Sequence, residues 1–279
     1  MADPRPSIAD RRRTFKQLHE GGCFVIPNPW DVGSARFLQG LGFKALATTS
    51  SGFAWSQGRP DNGISRDMAL AHLRDIVAAT DLPVNADFES GFAVDAAGVA
   101  ESVRLAVGTG VAGLSIEDST GDAARPLYEL SVAVERIRAA RAAIDQTGGD
   151  TLLVGRAECF FVGRPDLGEA IERLKAYAHA GADCLYAPGI RTREQITAVV
   201  AAVAPKPVNL LVGSTTDLTM QDISALGVRR VSVGGALARS AWGGFIRAAR
   251  LIAEQGKFDG FANAASGNEL NAFFAGDRK

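Results

Sequence analysis

One phrase, repeated along the chain, restricts its fold more than any composition figure. An alanine-rich amphipathic stretch ends at a glycine, one or two residues pass, and a short apolar run begins. It occurs at Gly40-Leu41-Gly42-Phe43, Gly108-Thr109-Gly110-Val111, Ala180-Gly181-Ala182-Asp183 and Leu226-Gly227-Val228. A glycine in the left-handed cap conformation closes a helix and returns the chain to a strand. Repetition of that phrase is the signature of βα units, not of a helix bundle.

The apolar runs predict strands at Cys23–Ile26, Ala45–Thr48, Val84–Asp87, Gly113–Ile116, Leu152–Arg156, Cys184–Tyr186, Val208–Leu211 and Arg230–Val233. Helices are expected over Val32–Leu41, Ser65–Thr80, Ala96–Val107, Ser131–Gln146, Asp166–Ala180, Arg193–Val203, Met220–Leu226 and Ala241–Gln255, with an extra one at Ile8–Glu20 before the first strand. Eight short apolar runs alternating with helices imply a parallel sheet, and their number favours closure into a (β/α)8 TIM barrel. The 279 residues suit one such barrel, which typically takes about 250. The expectation is a single α/β barrel domain over residues 1–279, with a helical extension at 1–20 and a tail at 256–279.

That tail carries Phe258, Phe261 and a weak helix over Glu269–Phe274. Burying a Phe stabilises by roughly 1.5–3 kcal/mol, so these rings should pack, either on a neighbouring subunit or on the chain's own barrel. Composition narrows the function classes. A 47% hydrophobic and 22% charged chain has ample core material. A net charge of -1 gives no reason to expect nucleic acid or an acidic membrane as partner. Cys23, Cys159 and Cys184 lack metal-ligand spacing, which fits a reducing cytoplasm. Residues 1–13 hold no apolar stretch of signal-peptide length, and no window has the roughly 18 apolar residues of a membrane span.

Carboxylates collect where the predicted strands stop. Asp87-Phe88-Glu89 ends the third, and Ile116-Glu117-Asp118 ends the fourth. Residues two apart on a strand point the same way, so Asp87 and Glu89 should project together with Glu117 beside them. Three converging oxygen ligands suit a divalent cation such as Mg2+, at the barrel end where such folds place their chemistry. The plainer reading, helix capping, uses one acid per loop and leaves Glu89 unexplained.

Other strand ends add polar groups. Thr48-Thr49-Ser50-Ser51-Gly52-Phe53 is either a cradle for a carboxylate or phosphate or a solvated turn. Asp61 adds another acid in the next loop. Arg156, in Gly155-Arg156-Ala157-Glu158, either holds a substrate carboxylate with its fork or makes an internal salt bridge to Glu158 or Asp87. Asn209 lies on the seventh strand. Gly234-Gly235 ends the eighth, more simply a tight turn than a phosphate cradle. His19, His72 and His179 fall within helices, so a histidine triad is not expected.

Asn28-Pro29-Trp30-Asp31-Val32-Gly33-Ser34-Ala35, Pro83-Val84-Asn85-Ala86-Asp87-Phe88-Glu89-Ser90-Gly91-Phe92, Gly113-Leu114-Ser115-Ile116-Glu117-Asp118 and Gly155-Arg156-Ala157-Glu158 resemble, in order, motifs of the isocitrate lyase/phosphoenolpyruvate mutase superfamily over roughly residues 20–255. The resemblance implies a barrel whose last helix is exchanged between subunits of a homo-oligomer, usually a dimer of dimers. It also implies Mg2+, or Mn2+, holding a 2-oxo or dicarboxylic acid substrate. On this resemblance Asp87, Glu89 and Glu117 are the metal carboxylates, binding largely through water, and Asp61 is the aspartate near the substrate. Ser50, Ser51 and Gly52 receive the substrate carboxylate, Arg156 pairs with it, and Asn209 is a polar ligand.

Departures from the family pattern select the reaction. The isocitrate-type lyases carry a gating loop whose cysteine is the catalytic acid, whereas Asp118–Tyr128 here contains neither cysteine nor histidine. Their glutamate after the sixth strand is replaced within Tyr186-Ala187-Pro188-Gly189, and the phosphonomutases' loop asparagine is also missing. The expectation is a Mg2+-dependent lyase that cleaves a C–C bond beside a 2-oxo carboxylate through an enolate, acting on oxaloacetate or a substituted malate. Ser119, Thr120 or a water would carry the proton. The alternatives are phosphonomutase or phosphonopyruvate hydrolase chemistry, and a non-catalytic metabolite-binding barrel.

Overall fold

A computed structural model describes residues 5–148 and 150–276. Residues 1–4, Gly149 and 277–279 of the expected single domain lie outside the described residues. Eight strands form one parallel sheet: β1 Phe24–Ile26, β2 Leu46–Ala47, β3 Val84–Asp87, β4 Gly113–Glu117, β5 Leu152–Arg156, β6 Cys184–Tyr186, β7 Val208–Leu211 and β8 Arg230–Ser232. Their order is β1-β8-β7-β6-β5-β4-β3-β2. Ala47 N donates to Pro27 O at 3.0 Å, which draws the two ends of the sheet together into a nearly closed (β/α)8 barrel. The strands are short because each is needed only to cross the barrel wall, and each predicted strand is found within two residues of its expected ends.

The helices are α1 Ile8–Leu18, α2 Val32–Gly40, α3 Ser50–Ser56, α4 Arg66–Ala79, α5 Ala96–Val107, α6 Leu130–Gln146, α7 Leu167–His179, α8 Arg193–Val203, α9 Met220–Ala225, α10 Ala236–Gln255 and α11 Gly267–Gly276. Ser7 caps α1 through a reciprocal pair with Asp10, which satisfies N–H groups the first turn leaves unpaired. The main core lies between the sheet and the ring of helices, where Leu73, Ile76, Val103, Ile137, Leu174 and Val199 meet the outward side chains of the strands. Helix α1 closes the bottom of the barrel: Phe15, fully buried, packs with Ile26, Ala45, Ala112 and Leu152. A Cβ at Gly113 would lie 2.7 Å from the Phe15 ring, so the plug needs glycine there. Truncating Phe15 to Ala would cost roughly 3–5 kcal/mol.

Two elements depart from the sequence expectation. The small-residue run after β2 is helical, because Thr49 accepts from Gly52 N at 3.3 Å as its N-cap. Helix α10 starts at Ala236, not Ala241, so the Gly234-Gly235 turn feeds it directly. It buries Ala238 alone, while Trp242 and Phe245 are exposed. The terminal helix α11 lies on the chain's own α2, with the Phe273 and Phe37 rings 4.7 Å apart. Among the described residues no helix is long and apolar enough to cross a membrane.

Candidate active site

The barrel opens at the C-terminal ends of its strands into a cavity of about 1100 Å3. Arg156, at the end of β5, sits among the acids. Its Nη1 donates to Asp87 Oδ1 at 2.6 Å, its Nη2 lies 3.1 Å from Glu117 Oε2, and its Nε donates to Glu158 Oε1 at 2.9 Å. The parallel register explains the gathering, since Glu117 is paired with Arg156 across β4 and β5, and Asp87 with Ser115 across β3 and β4. Burial works against the guanidinium's charge, yet Glu158, Glu117 and Asp87 together hold its proton firmly. The internal salt bridge is therefore the arrangement found, with all three arms of the fork occupied. Three of the guanidinium's five N–H donors are thus committed to acids of the protein itself.

Glu89 is the acid among the described residues that keeps a buried oxygen without a partner. Strand β3 ends at Asp87, so simple alternation does not carry Glu89 into place. Instead a turn does so, pinned by Glu117 N donating to Glu89 O at 3.0 Å. Its φ of 46° is left-handed, a conformation that costs a non-glycine residue about 1 kcal/mol or more. The side chain is buried, Oε1 has no hydrogen-bond partner, and burial with the charges of Asp87 and Asp61 lifts its pKa to about 8. Burial likewise pushes Glu117 well up and Glu158 to about 7. Asp61, on the open rim, is raised by its surroundings and then by Asp87.

The expected metal site needs one correction. Among the described residues no three His, Cys, Asp or Glu side chains form a ready-made cage. The reason is Arg156, which takes one oxygen each from Asp87 and Glu117, while Ser50 N and Oγ take Asp87 Oδ2 at 2.9 and 2.8 Å. The donor set nevertheless fits a cation held through water. Asp87, Glu117 and Glu158 share one guanidinium, and Glu89 Oε1 has no partner to give up.

The remaining expected residues divide. Ser50, Ser51, Asp61, Ser119 and Asn209 line the cavity. Gly52 does not: a Cβ there would lie 2.7 Å from Thr49, 3.0 Å from Trp30 and 3.2 Å from Ala238, so its role is to let α3 pack closely. Thr120 is also outside the cavity. Its hydroxyl donates to Arg125 O at 2.5 Å and accepts from Asp122 N at 3.0 Å, fastening the Asp118–Tyr128 stretch into a hairpin closed by the Ser119 and Leu127 pair. Asn209 is completely buried, its amide divided between Arg230 and Ser232. The Gly234 turn offers no free cradle, because Val233 N and Gly234 N both donate to Asn28 Oδ1 at 2.9 Å.

Sequence reasoning missed Tyr186, Ser232 and Arg230, which also line the cavity. Alternation along β6 and β8 would have turned them inward with Arg156, had polar residues inside a barrel been sought as well as those at its rim. It also missed the role of Asp118, which accepts from Glu158 N at 2.8 Å and from the Tyr177 hydroxyl at 2.5 Å. This fully buried acid ties the hairpin base to α7 and to the turn that carries Glu158.

Comparison with known proteins gives this site its context. The Phosphoenolpyruvate phosphomutase family matches residues 15–253. A crystal structure of a Burkholderia cenocepacia J2315 protein, provisionally described as a lyase/mutase, is 48% identical, with a TM-score of 0.93 over 96% of this chain and 97% of that one. The oxaloacetate decarboxylase of Rhodopseudomonas palustris BisB18 is 30% identical over 81% of this chain and 78% of its own. The 2-methylisocitrate lyase of Escherichia coli K12 is 35% identical over 57% of this chain and 55% of its own.

Proposed function

Because the chain belongs to the phosphoenolpyruvate phosphomutase family, within the isocitrate lyase/phosphoenolpyruvate mutase superfamily of lyases and mutases acting on oxo acids, we propose that it is a divalent-metal-dependent carbon–carbon lyase. Its substrate is a 2-oxo acid of the oxaloacetate type or a substituted malate, cleaved beside the 2-oxo carboxylate through an enolate. The observation that carries this reading is Glu89: buried, strained at φ 46°, unpartnered at Oε1, and crowded by Asp87. Strain and an unpaired acid persist only where the surroundings enforce them, and they cluster at functional sites.

Asp87, Glu89 and Glu117 would hold Mg2+ or Mn2+, largely through water. Bound there, the cation would polarise the oxo oxygen and offset the charge that develops on it. The protein's own groups do the rest. Arg156 fixes Asp87, Glu117 and Glu158 before substrate arrives, so little reorganisation is needed during the reaction. Ser51, at the start of α3, presents its hydroxyl to the acid's carboxylate end, where Ser50 joins it once its own hydroxyl leaves Asp87, and Asp61 reaches over the rim as a candidate base. The exposed apolar face of α10 supports assembly into a homo-oligomer.

Oxaloacetate and substituted malates incubated with Mg2+ should yield pyruvate or another 2-oxo acid, and excess EDTA should abolish the reaction. Full turnover in EDTA would reject the metal-dependent lyase. Phosphorus–carbon chemistry is the second reading, favoured by the family match itself. Release of phosphate, or formation of phosphoenolpyruvate, from phosphonopyruvate without cleavage of C4 acids would replace the first reading with the second.

A further inference from the structure

The turn that carries Glu89 is strained at more than one point. Glu89 and Phe92 have φ of 46° and 54°, with Gly91 at 79° between them, so two of these three left-handed residues bear side chains that disfavour the conformation. Such a segment keeps its shape only where its surroundings enforce it. Three consecutive carbonyls show how that is done. Phe88 O accepts from Gly91 N at 2.9 Å, Glu89 O accepts from Glu117 N at 3.0 Å, and Ser90 O accepts from Nη2 of Arg136, a residue of α6. Every peptide plane around Glu89 is thereby set, and with it the direction in which the side chain leaves the turn. Two of the three donors are backbone groups that any sequence supplies; Arg136 is the side chain.

Arg136 is 1% exposed and stands outside the cavity lining. Its Nη1 donates to Val94 O at 2.5 Å, so both ends of the fork go to backbone carbonyls of the β3–α5 turn and not to an acid, while its Nε is buried without a partner. Burying a cation in this way costs more than an apolar side chain of the same size would. An apolar side chain could not orient two carbonyls. The face of the guanidinium is covered by the Tyr128 ring, whose centre lies 4.1 Å from the guanidinium carbon, a contact that offsets part of the lost hydration. Tyr128 is itself fixed at the base of the hairpin. Its N donates to Asp118 O at 2.9 Å, and its O accepts from Arg173 Nη1 at 3.0 Å.

We propose that Arg136 is the positioning residue that presents Glu89 to a divalent cation, acting from outside the cavity through the Ser90 and Val94 carbonyls, with the Tyr128 ring holding it in place. The inference rests on the metal-dependent reading above. Arg136 touches neither substrate nor cation; it fixes the backbone from which Glu89 projects. Lysine would keep the charge but has one nitrogen on a flexible stem, which cannot serve two carbonyls in the fixed geometry of the fork. Without that grip the turn relaxes toward ordinary right-handed backbone and carries Glu89 away from Asp87 and Glu117. The effect therefore falls on cation affinity.

The test measures Mn2+ binding without substrate, from the electron paramagnetic resonance signal of the free ion, together with amide hydrogen exchange over residues 88–95. Arg136→Lys should weaken Mn2+ binding at least about tenfold and speed exchange in that segment. Made in a Glu89→Ala background, the same substitution should weaken the residual binding by less than about twofold, because the side chain it positions is already gone. Tyr128→Leu should weaken binding about threefold, while Tyr128→Phe, which keeps the ring over the guanidinium, should match wild type. That pair decides the matter should Arg136→Lys not fold. Wild-type Mn2+ affinity in Arg136→Lys and Tyr128→Leu would overturn the proposal and leave the metal-dependent reading intact. An equal loss with and without Glu89 would make Arg136 a general structural residue and overturn it too. A wild-type protein that binds no Mn2+ would defeat the metal-dependent reading and this proposal with it.

Discussion

Arg156 Nη1 lies 2.6 Å from Asp87 Oδ1, the shortest of three contacts by which one guanidinium ties together the ends of β3 and β4 and the turn after β5. Buried pairs of this kind add little over an apolar core, but removing one partner strands the other. Arg156→Ala should destabilise the protein by about 3–5 kcal/mol, read as a large fall in Tm. Arg156→Lys should fall between the two, because a point charge cannot serve three acids at once. An unchanged Tm for Arg156→Ala would show that the acids are already neutral or solvated.

Thr120 offers a test in the opposite direction. Its hydroxyl joins Arg125 O and Asp122 N within the hairpin, away from the cavity. Thr120→Val should leave kcat within about threefold while making the Asp118–Tyr128 segment more sensitive to limited proteolysis. A kcat loss of 100-fold or more would return Thr120 to the proton-transfer role expected from sequence.

His19 predicts an acid-side pH dependence. Burial, then the charge of Arg230, depress its pKa from 6.5 to about 3. The unfolded chain binds a proton below 6.5 that the folded protein refuses. Stability from this group is thus complete above pH 6.5 and lost as pH falls from 6.5 toward 3, by about 1.4 kcal/mol per unit. Chemical denaturation at pH 7 and pH 5 should show a smaller drop for His19→Gln than for wild type. Equal drops would refute the assignment.

The outward face of α10 presents Trp242, Phe245 and Ile246. Contiguous apolar surface of this kind marks association sites. Phe245→Glu should lower the molar mass found by light scattering, and an unaltered mass would show that this face is not an interface.

Much of the barrel was legible because its signals are local. A glycine cap, a short apolar run and the next helix all lie within about ten residues, so eight strands could be placed from period and punctuation alone. The acid-bearing strand ends followed from the same pattern. Helix α3 was missed because serine and glycine read as turn residues until Thr49 is seen to cap them. The engaged state of Arg156 could not be chosen in advance, since sequence allowed both a substrate-holding and an internally paired fork.

The order of residues thus determined the barrel, the extra helix before its first strand and the collection of Asp87, Glu89, Glu117 and Arg156 at one rim. Tertiary structure alone decided how those groups are used: which oxygens Arg156 takes, that Glu89 Oε1 is left unpaired in a left-handed turn, and that Arg230, Asn209 and Ser232 form one directed chain. The physical reason is range. Strand and helix periods act between near neighbours, whereas a hydrogen-bond partner or a counter-charge comes from another stave of the barrel, and only closure of the sheet brings it within 3 Å.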